Sequence, residues 1–139
     1  MRSRNILFVC IENSNRSQMA EAFANIHGKK VVNSYSAGSN PSGIINPKAI
    51  EAMKTIGYDL TLHKSKTVDE FRNVDLDYVI TMGCGDACPF IRAKHREDWD
   101  IPDPRNFPVK NFIIIRDLIE RKVKQLITKI ENENANNKR

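Results

Sequence analysis

Cysteine is scarce in this chain: Cys10, Cys84 and Cys88 are its only three among 139 residues. An odd, small number argues against a disulfide-held scaffold. A single domain of this length buries about two-thirds of its unfolded surface without such staples. Long apolar runs are also missing. The longest is Ile6 to Ile11, far short of the roughly 20 residues a membrane-spanning helix needs. Met1 to Arg4 followed by Ile6 to Val9 has the outline of a secretion signal, but the run is short and meets Glu12 rather than a cleavage site of small residues. The expected compartment is therefore the cytoplasm, where thiols stay reduced. A strong charge bias is absent too. The net charge is +5, the basic residues are scattered, and no aromatics are interleaved among them. This argues against a nucleic-acid partner. A mild positive field that draws small anions and simple solubility explain the excess equally well. There is no internal repeat.

What is present is concentrated in residues 6–19, ILFVCIENSNRSQM. A short apolar run ends in Cys10, and Met19, Ala20, Phe23, Ala24 and His27 then recur at helical spacing. This reads as a buried strand, a tight loop and the first turn of a helix. Such a loop aims successive backbone N–H groups into one concavity above a helix N-terminus, which suits a tetrahedral oxyanion. Cys10 stands at its mouth, where the helix field and Arg16 both favour thiolate over thiol. Arg16 can fork two N–H groups onto two anion oxygens. The candidate binding set is Ile11, Glu12, Asn13, Ser14, Asn15, Arg16 and Ser17, with Cys10 as nucleophile. The plain alternative is a buried cysteine that merely ends a core strand, but the flanking strand and helix are the context the chemistry needs.

Taken in order, the chain predicts strand one over 5–10 and helix one over 17–27, with Gly28 as its stop. Val31 to Ser36 forms a second strand, ended by the turn-rich AGSNPSG. Asn46 caps a helix with Pro47 in its first turn and Gly57 beyond its end. Thr67 to Phe71 makes one or two helical turns. Leu76 to Met82 is strand three, and Trp99 to Ile101 offers a short fourth. Residues 110–130 form the longest helix, with Phe112, Ile115, Leu118, Ile119, Val123, Leu126 and Ile130 inward. The domain is expected to span 1–130, with a disordered polar tail over 131–139. Strands alternating with helices imply a single α/β domain, a doubly wound four-stranded parallel sheet with helices on both faces. In such sheets the site lies at the carboxyl ends of the strands. Cys10 ends strand one and Cys84 follows strand three by two residues, so both thiols belong to the same edge.

Cys84 and Cys88 lie four apart in TMGCGDACPF, close enough in a helical turn to bridge. Zinc would need four ligands, and Cys84, Cys88 and His95 supply three. Two inert buried cysteines remain an alternative. A redox pair beside a nucleophilic cysteine is the favoured reading, since three thiols on one edge can pass a disulfide along. Further on, Asp103 precedes Pro104 in a loop. An aspartate near the anion site can protonate a leaving oxygen, although Asp-Pro is also a common turn dipeptide. Asp86, Asp98 and Asp100 are rivals by composition alone. His27, His63 and His95 read as surface or capping residues.

Cys10-x5-Arg16-Ser17 at the start and Asp103-Pro104 late in the chain resemble the low-molecular-weight tyrosine phosphatase fold. Cys84, Cys88, NSNRSQMAEA, residues 35–53 and REDWDIPDP narrow the resemblance to the thioredoxin-coupled arsenate reductases of that fold. It covers residues 5 to about 130. The resemblance implies a three-cysteine relay. Cys10 attacks arsenate held by the loop and Arg16, Asp103 protonates the departing oxygen, and Cys84 then attacks Cys10 to expel arsenite. Cys88 resolves the disulfide, which passes to thioredoxin. Ser17 stabilises the Cys10 thiolate and Asn13 braces the loop. Neither a cofactor nor a metal is implied. Some relatives bind potassium through Asn, Glu, Ser and Asp; Asn13, Glu21 and Ser36 match, but Lys66 stands where the Asp is expected, and its ammonium takes the ion's place. Other departures are the short Cys84–Cys88 gap, Asn15 for a frequent loop cysteine, and Glu12, expected to point outward. The runner-up is a phosphatase on phosphotyrosine or small phosphoesters using Cys10, Arg16 and Asp103. Against it, Arg105 and Asn106 follow Asp103-Pro104 where such enzymes usually carry aromatic walls. A third possibility is an oxyanion-sensing module with an unreactive Cys10.

Overall fold

The computed structural model describes residues 3–83 and 90–137, the last by its backbone alone. Cys84 and Cys88, and with them the expected thiol pair, lie outside the described residues, as does Asp86. Four parallel strands form one sheet: β1 (Arg4–Cys10), β2 (Val32–Gly38), β3 (Tyr78–Thr81) and β4 (His95–Asp98), in the order β2-β1-β3-β4. Three α-helices accompany them: α1 (Arg16–Gly28), α2 (Pro47–Lys54) and α3 (Val109–Asn137). The chain starts at the centre of the sheet, moves out to β2, then crosses back to β3 on the other side of β1. Direction reverses between β1 and β3. In an open parallel sheet, the carboxyl ends at that reversal form the crevice where ligands bind.

Period-two alternation along β1 divides the core. Ile6, Phe8 and Cys10 face one layer with Met19 and Phe23 of α1, Met53 of α2, and Phe112, Ile119 and Val123 of α3. Leu7 and Val9 face the other, with Ala37, Val79, Ile91 and the 3-10 turn Val68–Phe71. Helical cover therefore lies on both faces, as three α-helices on one and, among the described residues, a 3-10 turn on the other. Asn46 caps α2 as expected, its side chain accepting from the Lys48 amide. Among the described residues no helix is long and apolar enough to cross a membrane.

Two elements depart from the sequence reading. The fourth strand is His95–Asp98, not Trp99 to Ile101. Among the described residues it pairs only with β3, and its four polar side chains suit a sheet edge, where charge blunts further strand addition. Trp99 follows it as irregular backbone, still donating its amide to the Thr81 carbonyl at 2.8 Å. The long helix continues to Asn137 through residues expected to be a disordered tail. Its last turns carry polar contacts to the sheet: the Tyr78 hydroxyl donates to the Glu133 carboxylate (3.0 Å), and Arg4 donates to Asn134 Oδ1 (3.2 Å). Those partners lie far away in sequence, so a local reading of ENENANN misses them.

Candidate active site

The loop from Cys10 to Asn15 is held from outside by its own carbonyls. Ser39, Asn40 and Ser42 amides donate to the carbonyls of Cys10, Ile11 and Glu12, and Asn46 and Met19 amides to those of Ser14 and Asn15. The Gln18 side-chain amide takes the sixth, that of Asn13, at 3.0 Å. With the carbonyls turned outward, the peptide N–H groups turn inward. The amides of Glu12, Asn13, Ser14 and Asn15 donate to no described residue. Asn13 makes the reversal by adopting φ 51°, a left-handed conformation that Asn tolerates better than most residues. Its side chain then braces the turn, Oδ1 accepting from Gln18 Nε2 and the Lys66 amide, each at 2.8 Å.

Cys10 is 3% exposed at the carboxyl end of β1. Asn13 Nδ2 donates to Ser17 Oγ at 2.8 Å, which leaves the Ser17 hydroxyl proton to point at Cys10 Sγ, also 2.8 Å away. That contact fixes the sulfur at the edge of the loop. Arg16 opens α1 and reaches under the crevice. Its Nη1 donates to the Met82 and Ile101 carbonyls, the second at 2.9 Å, tying the ends of two other segments to the loop. The Nε of this buried guanidinium has no hydrogen-bond partner among the described residues. The Nε–Nη2 edge is thus a pair of parallel donors left for a ligand, the geometry that grips two oxygens of one anion. Asp103 Oδ2 stands 3.8 Å from Arg16 Nη2, and Asn15 Nδ2 donates to its Oδ1 at 3.4 Å. Together Cys10, Ile11, Glu12, Ser14, Asn15, Arg16, Asp103 and Arg105 line a cleft of about 40 Å³, space for about three waters and so for one small anion.

Two of the rival aspartates, Asp98 and Asp100, are placed elsewhere. Asp98 is engaged by Thr81 Oγ1 and the Gly83 amide, and Asp100 does not line the cleft. His27 is on the surface beside Glu120. His95 is an exposed strand residue stacked on Tyr78. His63 is not superficial: its side chain is 6% exposed, with Nδ1 3.0 Å from Gln18 Oε1 and Nε2 2.6 Å from the Tyr58 hydroxyl. Burial pushes its pKa below the usual value, partly opposed by Glu21. A neutral ring with Nδ1 protonated satisfies both partners. It orients Gln18, which in turn holds Asn13.

The potassium-like cluster is also assembled. Ser36 Oγ donates to Glu21 Oε1 at 2.5 Å, and the Lys66 ammonium lies 3.9 Å from the same oxygen. A fixed positive charge there would repel a monovalent cation, so these residues do not fit a potassium ion.

The profile of the low molecular weight phosphotyrosine protein phosphatases matches residues 5–136. This chain belongs to that family. Among its relatives, arsenate reductase 2 of Staphylococcus epidermidis is 37% identical over 137 residues, covering 93% of this chain and all of the relative. A solved arsenate reductase in its phosphate-binding state superposes with a TM-score of 0.84 at 35% identity, covering 91% of this chain and 98% of that one. A thioredoxin-dependent arsenate reductase of Corynebacterium glutamicum gives 0.75 at 32% identity, covering 94% of this chain and 63% of that one. The architecture read from the sequence is that of the family.

Three contributors to the candidate site escaped the sequence reading. Gln18 is wholly buried on a helix, and a polar residue one place beyond the Arg-Ser pair was the available signal. Arg105 lines the cleft through an ion pair that sequence alone does not show. Gly38 ends β2 against the loop, where an added Cβ would fall 2.4 Å from the Ile11 carbonyl oxygen and 2.9 Å from the Asn13 nitrogen. Both atoms are backbone, so the loop itself would have to move. Gly38→Ala is expected to weaken phosphate binding at least about tenfold, since the amides it displaces are preorganised donors. Isothermal titration with inorganic phosphate measures this; unchanged affinity would mean that the loop yields freely.

Proposed function

We propose that this chain is an arsenate reductase that works through a thiol adduct on Cys10 and a relay to Cys84 and Cys88. The observation that carries the first step is a ring of inward amides closed by the buried, unpartnered Nε of Arg16, with a hydroxyl-supported thiol at its edge. Arsenate enters the cleft, its oxygens held by the amides of residues 11–15 and the Arg16 fork. Cys10 Sγ attacks arsenic, a sulfur–arsenic bond forms, and one arsenate oxygen leaves as water with a proton supplied by Asp103. Cys84 then attacks Cys10 Sγ. The new sulfur–sulfur bond forms as the sulfur–arsenic bond breaks, its electron pair staying on arsenic, so arsenic(V) becomes arsenic(III) and two thiols become one disulfide. Cys88 attacks Cys84 and releases the Cys10 thiolate. A dithiol protein of the thioredoxin type takes up the Cys84–Cys88 disulfide.

Chain continuity supports the relay. Met82 is tied to Arg16, and a Cβ built on Gly83 would lie 3.7 Å from Arg16 Nη1, so the backbone leaves the site one residue before Cys84. A reducing compartment is required for three working thiols, and we place the protein in the cytoplasm. The decisive experiment is a single turnover: fully reduced protein with arsenate and no reductant, followed by arsenite quantitation and disulfide mapping. One arsenite per chain with a Cys84–Cys88 disulfide is expected. Three free thiols and no arsenite would instead leave hydrolysis of phosphoesters as the activity of the site.

A further inference from the structure

Glu12 is an unusual neighbour for an anion, and its carboxylate is not left facing one. Its Oε2 lies 3.0 Å from Arg105 Nη1, across the mouth of the cleft that both residues line. The pair joins two separate segments, the anion loop and the loop carrying Asp103. Arg105 is fixed at its base as well: its amide donates to Asp103 Oδ1 at 3.0 Å, and its Nε lies 3.8 Å from Asp103 Oδ2. The cleft that the pair lines holds about 40 Å³ of space, and among the described residues no aromatic side chain lines it.

We propose that Glu12 and Arg105 form a charge-paired cap that admits free inorganic oxyanions and disfavours organic phosphomonoesters. A free tetrahedral anion fits beneath the pair. An ester must carry its organic group out through the mouth, which means parting the ion pair and gaining no ring contact in exchange. Rejection by an interaction that the wrong ligand must break is a standard route to specificity. The pair is also electrically balanced. Arg105 cancels the repulsion that a bare Glu12 would exert on an incoming dianion, so the cap excludes by shape without penalising charge. This inference rests on the oxyanion reading of the Cys10 cleft and adds its selectivity.

The test uses the full reduced chain and reads Cys10 alkylation by iodoacetamide, with inorganic phosphate and phenyl phosphate as protecting ligands. In the unmodified protein, phenyl phosphate is expected to need about fivefold more concentration for half protection, the scale of a surface ion pair that must open. In the Glu12→Ala/Arg105→Ala variant, which keeps the net charge, the two ligands should protect about equally. Arg105→Ala alone should weaken both ligands, because Glu12 is left bare. Circular dichroism checks that each variant is folded, and 0.5 M salt, which screens the pair by about the same principle, should narrow the gap in the unmodified protein only. Equal protection by both ligands in the unmodified protein, or an undiminished gap in the double variant, overturns the cap. Failure of inorganic phosphate to protect Cys10 in the unmodified protein overturns the oxyanion reading itself.

Discussion

Arg16→Lys is expected to lower arsenate reduction by about 100- to 1,000-fold, the range for losing a preorganised oxyanion donor. The loss is large because one guanidinium does two jobs. Its Nη1 holds the Met82 and Ile101 carbonyls, and its Nε–Nη2 edge remains for the anion. A lysine ammonium is a compact point charge; it can serve one of these roles and cannot present a planar fork. Initial rates of arsenite formation with a dithiol reductant measure the effect. Phosphate affinity measured on the same variant separates binding from chemistry. A rate within about threefold of the unmodified enzyme, well below that range, would sink the clamp.

The second large effect is a split among the cysteines. Cys10→Ser should abolish both arsenate reduction and any hydrolysis of aryl phosphates, because both reactions begin at this sulfur. Cys84→Ser or Cys88→Ser should abolish multiple-turnover arsenate reduction and spare the hydrolysis. The difference lies in the substrate atom. Arsenic(V) accepts two electrons from a pair of thiols, whereas a phosphorylated Cys10 is released by water and needs no second sulfur. Parallel assays of arsenite release and p-nitrophenol release on the three variants resolve this. Sustained arsenate turnover by Cys84→Ser would end the relay as a mechanism.

What could be read from the sequence follows from how local its causes are. The strand into Cys10, the loop and α1 were legible because the apolar run, the small polar residues and the helical repeat are contiguous. Asn46-Pro47 announced its helix in the same way. β4 was not legible, since His95–Asp98 is a polar strand whose pairing, among the described residues, comes from the backbone of β3. His63 read as a surface residue because its partners, Gln18 and Tyr58, reach it only in the folded chain. Gly38 looked like part of a turn, yet its role is to let the Cys10 loop come close. Cys84 and Cys88 rest on sequence and resemblance alone.

The outward carbonyls of residues 10–15 have a consequence for how this family can vary. Apart from the Arg16 fork, the proposed grip on the ligand is written in peptide bonds, which every amino acid carries, while the side chains at Ile11, Glu12 and Ser14 are spare lettering on the same frame. Holding the anion and choosing among anions are therefore separable inheritances. A substitution at these positions would redraft the entrance without rewriting the cradle beneath it.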